Sequence, residues 1–415
     1  MTGVIDTMGP WRVRLLAVAV LGVVAVGCGS GPAAMRALRL RPAMPATPAP
    51  LSGDVLARAA ATGELIARHL PRLEYHGGAF IRRPRVVTIT FSDDDPSLVR
   101  HVERFGGAVT RTSWWRSVTA DYCVESRGCI GAGRDARAVR LDEVLPDELH
   151  AVDLTTRVAR HAEAGTLGAI DDETTLLVYL PPRVRLHDAF VPRYCGQGPH
   201  AFHRPLRLST GRAAIAVMPR CGDAAALTGT ASHELLEMVT NPDTADRGFA
   251  FLRGGATSGF TAAGVEPADP CGIATVDNTL VVEGFVVRRA WSNRAARAGH
   301  DPCTPAVRTR PYLALVPQTA GTLLRHDGDR ELIPMTAAAD RPTAAWSVAV
   351  TAVENSAGAS PCVDAALDTD TVEAGQTVVL TLTRRAGTAP GRCLVRVISS
   401  QHGMASAWPV VVVFD

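Results

Sequence analysis

The 415-residue sequence has no lysine, so all 43 of its basic residues are arginine. Alongside the abundant alanine, that is a compositional bias rather than a mechanism. An excess of one charge is also missing. The 43 basic residues face 41 acidic ones, for a formal charge of +2. No dominant basic face is implied, which argues against a nucleic-acid partner. The apolar run near the start, residues 15–26, has twelve residues, too few for a bilayer core that needs about 20. No CxxC pair occurs, which disfavours a cysteine zinc site. No internal repeat is present.

The hydrophobic content of 47%, with 20% charged residues, is enough for a real core. At roughly 100–200 residues per domain the length predicts two or three domains. Arg12 and Arg14 precede the short apolar run, and Gly27-Cys28 follows it. This is the layout of an export signal. The run Ala25-Val26-Gly27-Cys28 resembles a bacterial lipobox, in which the cysteine is lipidated and becomes the mature N-terminus. The alternative is an ordinary secretory signal. Residues 1–28 are thus expected to be a lipoprotein signal peptide, and 29–52, rich in Pro and Ala, an extended linker. The expected location is extracytoplasmic, tethered by lipid to a bacterial cell envelope.

Eight cysteines remain after Cys28, an even number in an oxidising compartment, and they predict four disulfides. Nearest-neighbour pairing joins Cys123 to Cys129, Cys195 to Cys221, Cys271 to Cys303 and Cys362 to Cys393. Other connectivities remain open. Each of the last two bonds would contribute about 3 kcal/mol if unstrained.

Residues 53–305 read as an α/β or α+β domain. A helix is expected over 54–70, a buried strand over 85–91, a helix from Ser97 to about Phe105, and one or two helices over 141–164. Further strands are expected over 174–180 and 213–218. Over 311–415 the texture changes to short β-rich runs between Gly, Asp, Asn and Ser. These run over 312–316, 345–353, 371–383, 393–399 and 407–414 and predict a small all-β sandwich. This part resembles the Ig-like modules appended to secreted bacterial enzymes.

The sharpest local signal is Thr230-Ala-Ser-His233-Glu234-Leu-Leu-Glu237, which runs on to Asn241-Pro242. At 100° per residue, Leu227, Ala231, Leu235, Met238 and Val239 share one side of a helix. His233 and Glu237, one turn apart, share the other, with Glu234 between the two faces. The pattern is similar to the His-Glu-x-x-His helix of the zincin metallopeptidases, with Glu237 in place of the second imidazole. Zn²⁺ is the expected ion, held by His233 and Glu237, with Glu234 as the proton acceptor. Asp269 or Glu266 is the expected third ligand. His200 and His203 are further candidates and His300 a poorer one. The competing reading makes His233, Glu234 and Glu237 the solvated face of an amphipathic helix. Trp114-Trp115 is either a stacking platform or core. Asp93-Asp94-Asp95 is either a cation chelator or a helix start.

With these residues in order, residues 85–303 resemble the EXORDIUM/phosphate-induced protein family of plants and its bacterial secreted relatives. The carriers are the strand Val86-Val-Thr-Ile-Thr90, Ser113-Trp114-Trp115 with Tyr122, Tyr194-Cys195-Gly196 with His200, and Ala231-Ser-His233-Glu234-Leu-Leu-Glu237 with Asn241-Pro242. The family's Glu-Ile-Gly-Asp-x-Cys element is matched by Glu266-Pro-Ala-Asp269-Pro-Cys271, and its closing Trp-Ser and Cys by Trp291-Ser292 and Cys303. Pro267 departs from the family's hydrophobic residue. The resemblance implies an extracellular protein with a zincin-like main domain and no settled reaction.

Two functions follow. One is a metal-dependent hydrolase, a zinc peptidase acting at the envelope on peptide. The other is a non-catalytic surface lipoprotein that binds glycan, such as envelope polysaccharide, or a protein partner through the sandwich and the Trp pair, with a degenerate metal site.

Overall fold

A computed structural model of the chain describes residues 53–189, 191–196, 200–209, 211–252, 259–262, 264–307, 309–319, 321–353 and 361–414. The expected signal segment, Cys28 and the linker lie outside them. Strands β1 (Arg85–Phe91), β2 (Ala136–Leu141), β3 (Thr174–Tyr179), β4 (Phe202–Leu208) and β5 (Gly211–Met218) form one sheet in the order β2-β1-β3-β5-β4. The first four positions in that order are parallel, and the edge strand β4 runs antiparallel to β5.

Burial on both faces explains the near-continuous apolar runs in β1, β3 and β5. Val86, Leu177, Tyr179, Ala214, Ala216 and Met218 point into one core. Val87, Ile89, Leu176, Val178, Ile215 and Val217 point into the other. Helices α2 (Pro96–Ala108), α3 (Ser113–Thr119) and α5 (Ala224–Thr240) cover the first face, and α4 (Ala151–Glu163) covers the second. Gly106 lets α2 approach the sheet, because a methyl group there would overlap the Thr88 hydroxyl.

Part of the region expected to be helical over 141–164 is not. Leu141 ends β2, a three-residue strand covers Glu148–His150, and α4 begins only at Ala151. Pro146 explains the break, since a proline in a helix interior removes a hydrogen bond and clashes with the preceding turn. The three aspartates before α2 are a helix start and not a chelator. Asp95 accepts from Ser97 N, Asp94 pairs with Arg220 and Asp93 with Arg183. Trp114 and Trp115 are both buried in the core, which removes them as a stacking platform.

After α5 the chain forms α6 (Asp269–Ala274) and the hairpin β6 (Thr279–Val282) and β7 (Phe285–Arg288). Arg288 N donates to Ser232 Oγ at 2.9 Å, which ties β7 to α5. From residue 313 on, the described residues form nine strands: β8 (Leu313–Pro317), β9 (Gly321–Leu324), β10 (Arg330–Ala339), β11 (Trp346–Val353), β12 (Val363–Leu367), β13 (Thr371–Val372), β14 (Thr377–Arg384), β15 (Gly391–Gln401) and β16 (Met404–Phe414). They make two sheets, β8-β10-β14-β12 and β9-β16-β15-β11-β13, that enclose a single apolar core. This is the expected two-sheet sandwich.

Strand β10 escaped the sequence reading because Pro334 and a charged start mask it. Pro334 O accepts from Gln318 N, so the residue faces β8, and it lies one position beyond the pairs that β8 makes. Its missing N–H therefore breaks no ladder bond.

The sandwich is not a detached module. Helix α1 (Gly53–His69) packs on it, and the Thr62 hydroxyl donates to Ala339 O at 2.8 Å. Phe260 meets Trp408 edge-on at 5.2 Å, and Arg396 Nη2 donates to Thr275 O at 2.6 Å. Residues 51–415 form one unit across the boundary expected near 305–311. No helix among the described residues is long and apolar enough to cross a membrane.

Candidate metal centre

Helix α5 starts at Asp223, whose side chain accepts from Ala226 N, and ends at Asn241. The competing sequence reading puts the polar residues of this amphipathic helix in water. Instead, Thr228, Ser232, Glu234, Glu237 and Thr240 are buried along with the apolar stripe. The sheet lies on one side and hairpin β6–β7 on another, while Glu266 and Asp269 approach its polar side. The solvated-face reading is therefore corrected. A helix buried all round that carries a histidine and two glutamates must neutralise those charges internally.

Two triads of donor atoms meet here, with all atoms of each triad mutually within 4.8 Å. The first is His233, Glu237 and Asp269. Nε2 of His233 lies 3.2 Å from Glu237 Oε1 and 3.7 Å from Asp269 Oδ1. Two donors each about 2.0–2.2 Å from one tetrahedral ion lie roughly 3.3–3.6 Å apart, so the observed pair brackets what a zinc site needs. Glu237 Oε1 is buried with no hydrogen-bond partner, as a ligand oxygen would be. An imidazole with two carboxylates is also a suitable donor set for Zn²⁺. The residues fit the ion that the sequence implied.

The second triad is His203, Glu234 and Glu237. Nδ1 of His203 lies 3.1 Å from Glu234 Oε2 and 3.7 Å from Glu237 Oε2. His203 is one of the further candidates from the sequence. It sits on edge strand β4, where antiparallel pairing sets it opposite Ala216 of β5, the strand that leads into α5. No local spacing links His203 to His233; only the sheet order does. His200 is exposed, and His300 pairs with Asp340 instead, so neither belongs to the centre.

Glu266, expected as an alternative third ligand beside His233, is placed elsewhere. Its Oε1 accepts from Asn241 Nδ2 at 2.6 Å and lies 3.4 Å from His203 Nε2. Asn241 is held in turn by Gly248 N, which donates to its Oδ1 at 2.9 Å. Asp269 is fixed by Glu266 N, which donates to Oδ2 at 3.0 Å, and by the Cys271–Cys303 disulfide two residues on. All four disulfides follow the nearest-neighbour pairing.

Without a cation, protons must balance this cluster. Burial, followed by Asp269, Glu266 and Glu234, pushes Glu237 well above the usual carboxylate range. Burial raises Asp269 too. Burial lowers His233 and is only partly opposed by Glu234 and Asp269. Burial works against charge on His203 as well, but the Glu234 and Glu266 carboxylates outweigh it and carry the imidazole well above its ordinary value. Burial would likewise raise Glu266, yet His203 and Asn241 pull it down. Groups that hold or give up protons this strongly are those whose proton balance a bound metal would take over.

Gly264 gives a direct test. A methyl group at that position would overlap the Asp269 carboxylate, whose far end can swing away. Gly264→Ala is expected to leave the melting temperature within a few degrees of wild type. It should weaken Zn²⁺ binding by about 10–100-fold, the cost typical of displacing a metal site's supporting geometry. Titration calorimetry with Zn²⁺ and a thermal melt check both halves.

A cavity of about 1210 Å³ opens elsewhere, between the 289–312 segment and the 399–406 turn of the sandwich. None of its lining residues belongs to either triad.

No family profile matches the sequence, and no curated protein does. Solved structures that match include the titin M3 domain, at 11% identity over 26% of this chain and 97% of that one, with a TM-score of 0.17. The titin M10–obscurin-like 1 Ig complex matches at 13% over 25% and 93%, with a TM-score of 0.16. A Bacteroides ovatus GH5 xyloglucanase in complex with a XXXG heptasaccharide matches at 14% over 26% and 19%, with a TM-score of 0.17. Likeness at this level carries no argument about the fold or the centre.

Proposed function

We propose that this chain is an extracytoplasmic, metal-dependent hydrolase with a zincin-like centre, acting on peptide bonds at the cell envelope. The observation that carries the reading is the His233–Glu237–Asp269 triad, with Glu234 buried beside it on the same helix. His233, Glu237 and Asp269 would hold Zn²⁺. When bound, the ion supplies Lewis-acid polarisation of a carbonyl and acidifies water.

The side chains of His233 and Asp269 remain 14% and 19% exposed, so this triad is the one a substrate can reach. Glu234 is the general base. It accepts the proton of the attacking water and returns it to the leaving amine. His203 Nδ1, 3.1 Å from Glu234 Oε2, fixes the orientation of that carboxylate. Burial pulls the Arg288 guanidinium below its ordinary value, and Glu234 and Glu237 nearby oppose this only in part. Arg288 would add positive potential near the centre.

The four disulfides support an oxidising compartment. The ordered motifs of 85–303 support a place among the bacterial relatives of the EXORDIUM family. A lipid on Cys28 would tether the protein. The alternative of a glycan- or protein-binding module loses its Trp platform, since both indoles are in the core.

Glu234→Gln is the test. The variant should keep the ion held by His233, Glu237 and Asp269. Its turnover of a quenched peptide library should drop by about 10²–10⁴-fold, the usual worth of a positioned base. If wild type, purified without chelators, carries no metal, the reading fails.

A further inference from the structure

We propose that the centre holds two divalent cations, one in the His233–Glu237–Asp269 triad and a second in the His203–Glu234–Glu237 triad, with the Glu237 carboxylate spanning both. The inference rests on the proposed hydrolase centre and extends it.

Glu237 points its two oxygens in different directions: Oε1 lies 3.2 Å from His233 Nε2, and Oε2 lies 3.7 Å from His203 Nδ1. A bridging carboxylate has this disposition, and paired catalytic cations stand about 3.5–4 Å apart. The second triad also has the spacing that suits a single ion, with donors 3.1 and 3.7 Å from His203 Nδ1. Its three side chains are more than nine-tenths buried.

The surroundings of His203 provide a separate indication. A histidine that ligates a metal through one ring nitrogen usually turns the other toward a carboxylate, which fixes the ring. Nε2 of His203 is buried without a hydrogen-bond partner and faces Glu266 Oε1 at 3.4 Å. Glu266 is clamped by Asn241. On this reading Glu266 is the orienting carboxylate of the second ion, which explains why it belongs to neither triad.

Glu234, Glu237, Glu266 and Asp269 bring four carboxylates together around the two imidazoles. With the second site filled, Glu234 would use Oε2 as a ligand, and its role as base would fall to its other oxygen.

The experiment counts ions. Tag-free full-length protein is stripped by chelator, dialysed against Zn²⁺ alone and measured by mass spectrometry. Two equivalents are expected in wild type and one each in His203→Gln and Asp269→Asn. A Co²⁺-loaded wild type should show a spin-coupled pair. A single equivalent in wild type, retained by His203→Gln, overturns the second site and leaves the hydrolase centre standing. None in wild type overturns both. Two equivalents that survive His203→Gln place the second ion elsewhere and also overturn it. Should a variant fail to fold by its thermal melt, the wild-type count and the Co²⁺ coupling decide: two equivalents without coupling refute the shared site.

Discussion

Glu237→Gln is expected to abolish hydrolysis and to weaken cation binding beyond the about 10–100-fold that loss of an outer-shell partner costs. Among the described residues Glu237 is the one member common to both triads, and an amide offers one oxygen where the carboxylate offered two. The fold should survive. In the metal-free protein, burial and three neighbouring carboxylates hold Glu237 well above its ordinary range. A group raised in this way stabilises the fold fully below the ordinary carboxylate pKa, and that contribution is lost as pH rises through the folded value. The neutral amide carries no such dependence. Metal-free Glu237→Gln should therefore match wild type near pH 4 and melt above it at pH 8, while binding no Zn²⁺. A variant that unfolds at every pH, or one that binds Zn²⁺ normally, would contradict the assignment.

The second large effect concerns Cys271–Cys303. The two residues are 32 apart, so losing the bond should cost about 3–4 kcal/mol through the freedom the unfolded chain regains. The Cys362–Cys393 bond of the sandwich spans a nearly identical 31 residues and should cost about as much. Of the two, only the first lies beside a proposed ligand, because Asp269 is two residues before Cys271 in the opening turn of α6. Replacing each pair with serines should therefore lower stability alike in chemical denaturation. Zn²⁺ affinity should drop for the 271/303 variant alone. Equal losses of affinity would mean that the bond does not position Asp269.

The contrast between these disulfides shows what the sequence made legible. Spacing within a single segment sufficed for the His233 helix, for the Asp269 loop with its neighbouring cysteine, and for strands such as β1 whose apolar residues are continuous. Features set by tertiary pairing did not show. His203 lies thirty residues before His233 and reaches it only because β4 doubles back along β5. The amphipathic reading of α5 failed for a related reason. A polar stripe looks the same whether it meets water or a ring of buried charges, and only neighbouring elements tell the two apart. Glu266 and Asp269 were equivalent by spacing. The Asn241 amide separates them by drawing Glu266 toward His203.

The Thr62–Ala339 hydrogen bond joins residues 277 apart. Helix α1 thus lacks its seat on the sandwich until residue 339 has been made. At roughly 5–20 residues per second of synthesis, that is a wait on the order of tens of seconds. Throughout it Thr62, buried in the finished fold, lacks its Ala339 partner. Cutting the chain ahead of the sandwich would make that interval permanent, so a fragment shortened in this way should be recovered mainly as aggregate.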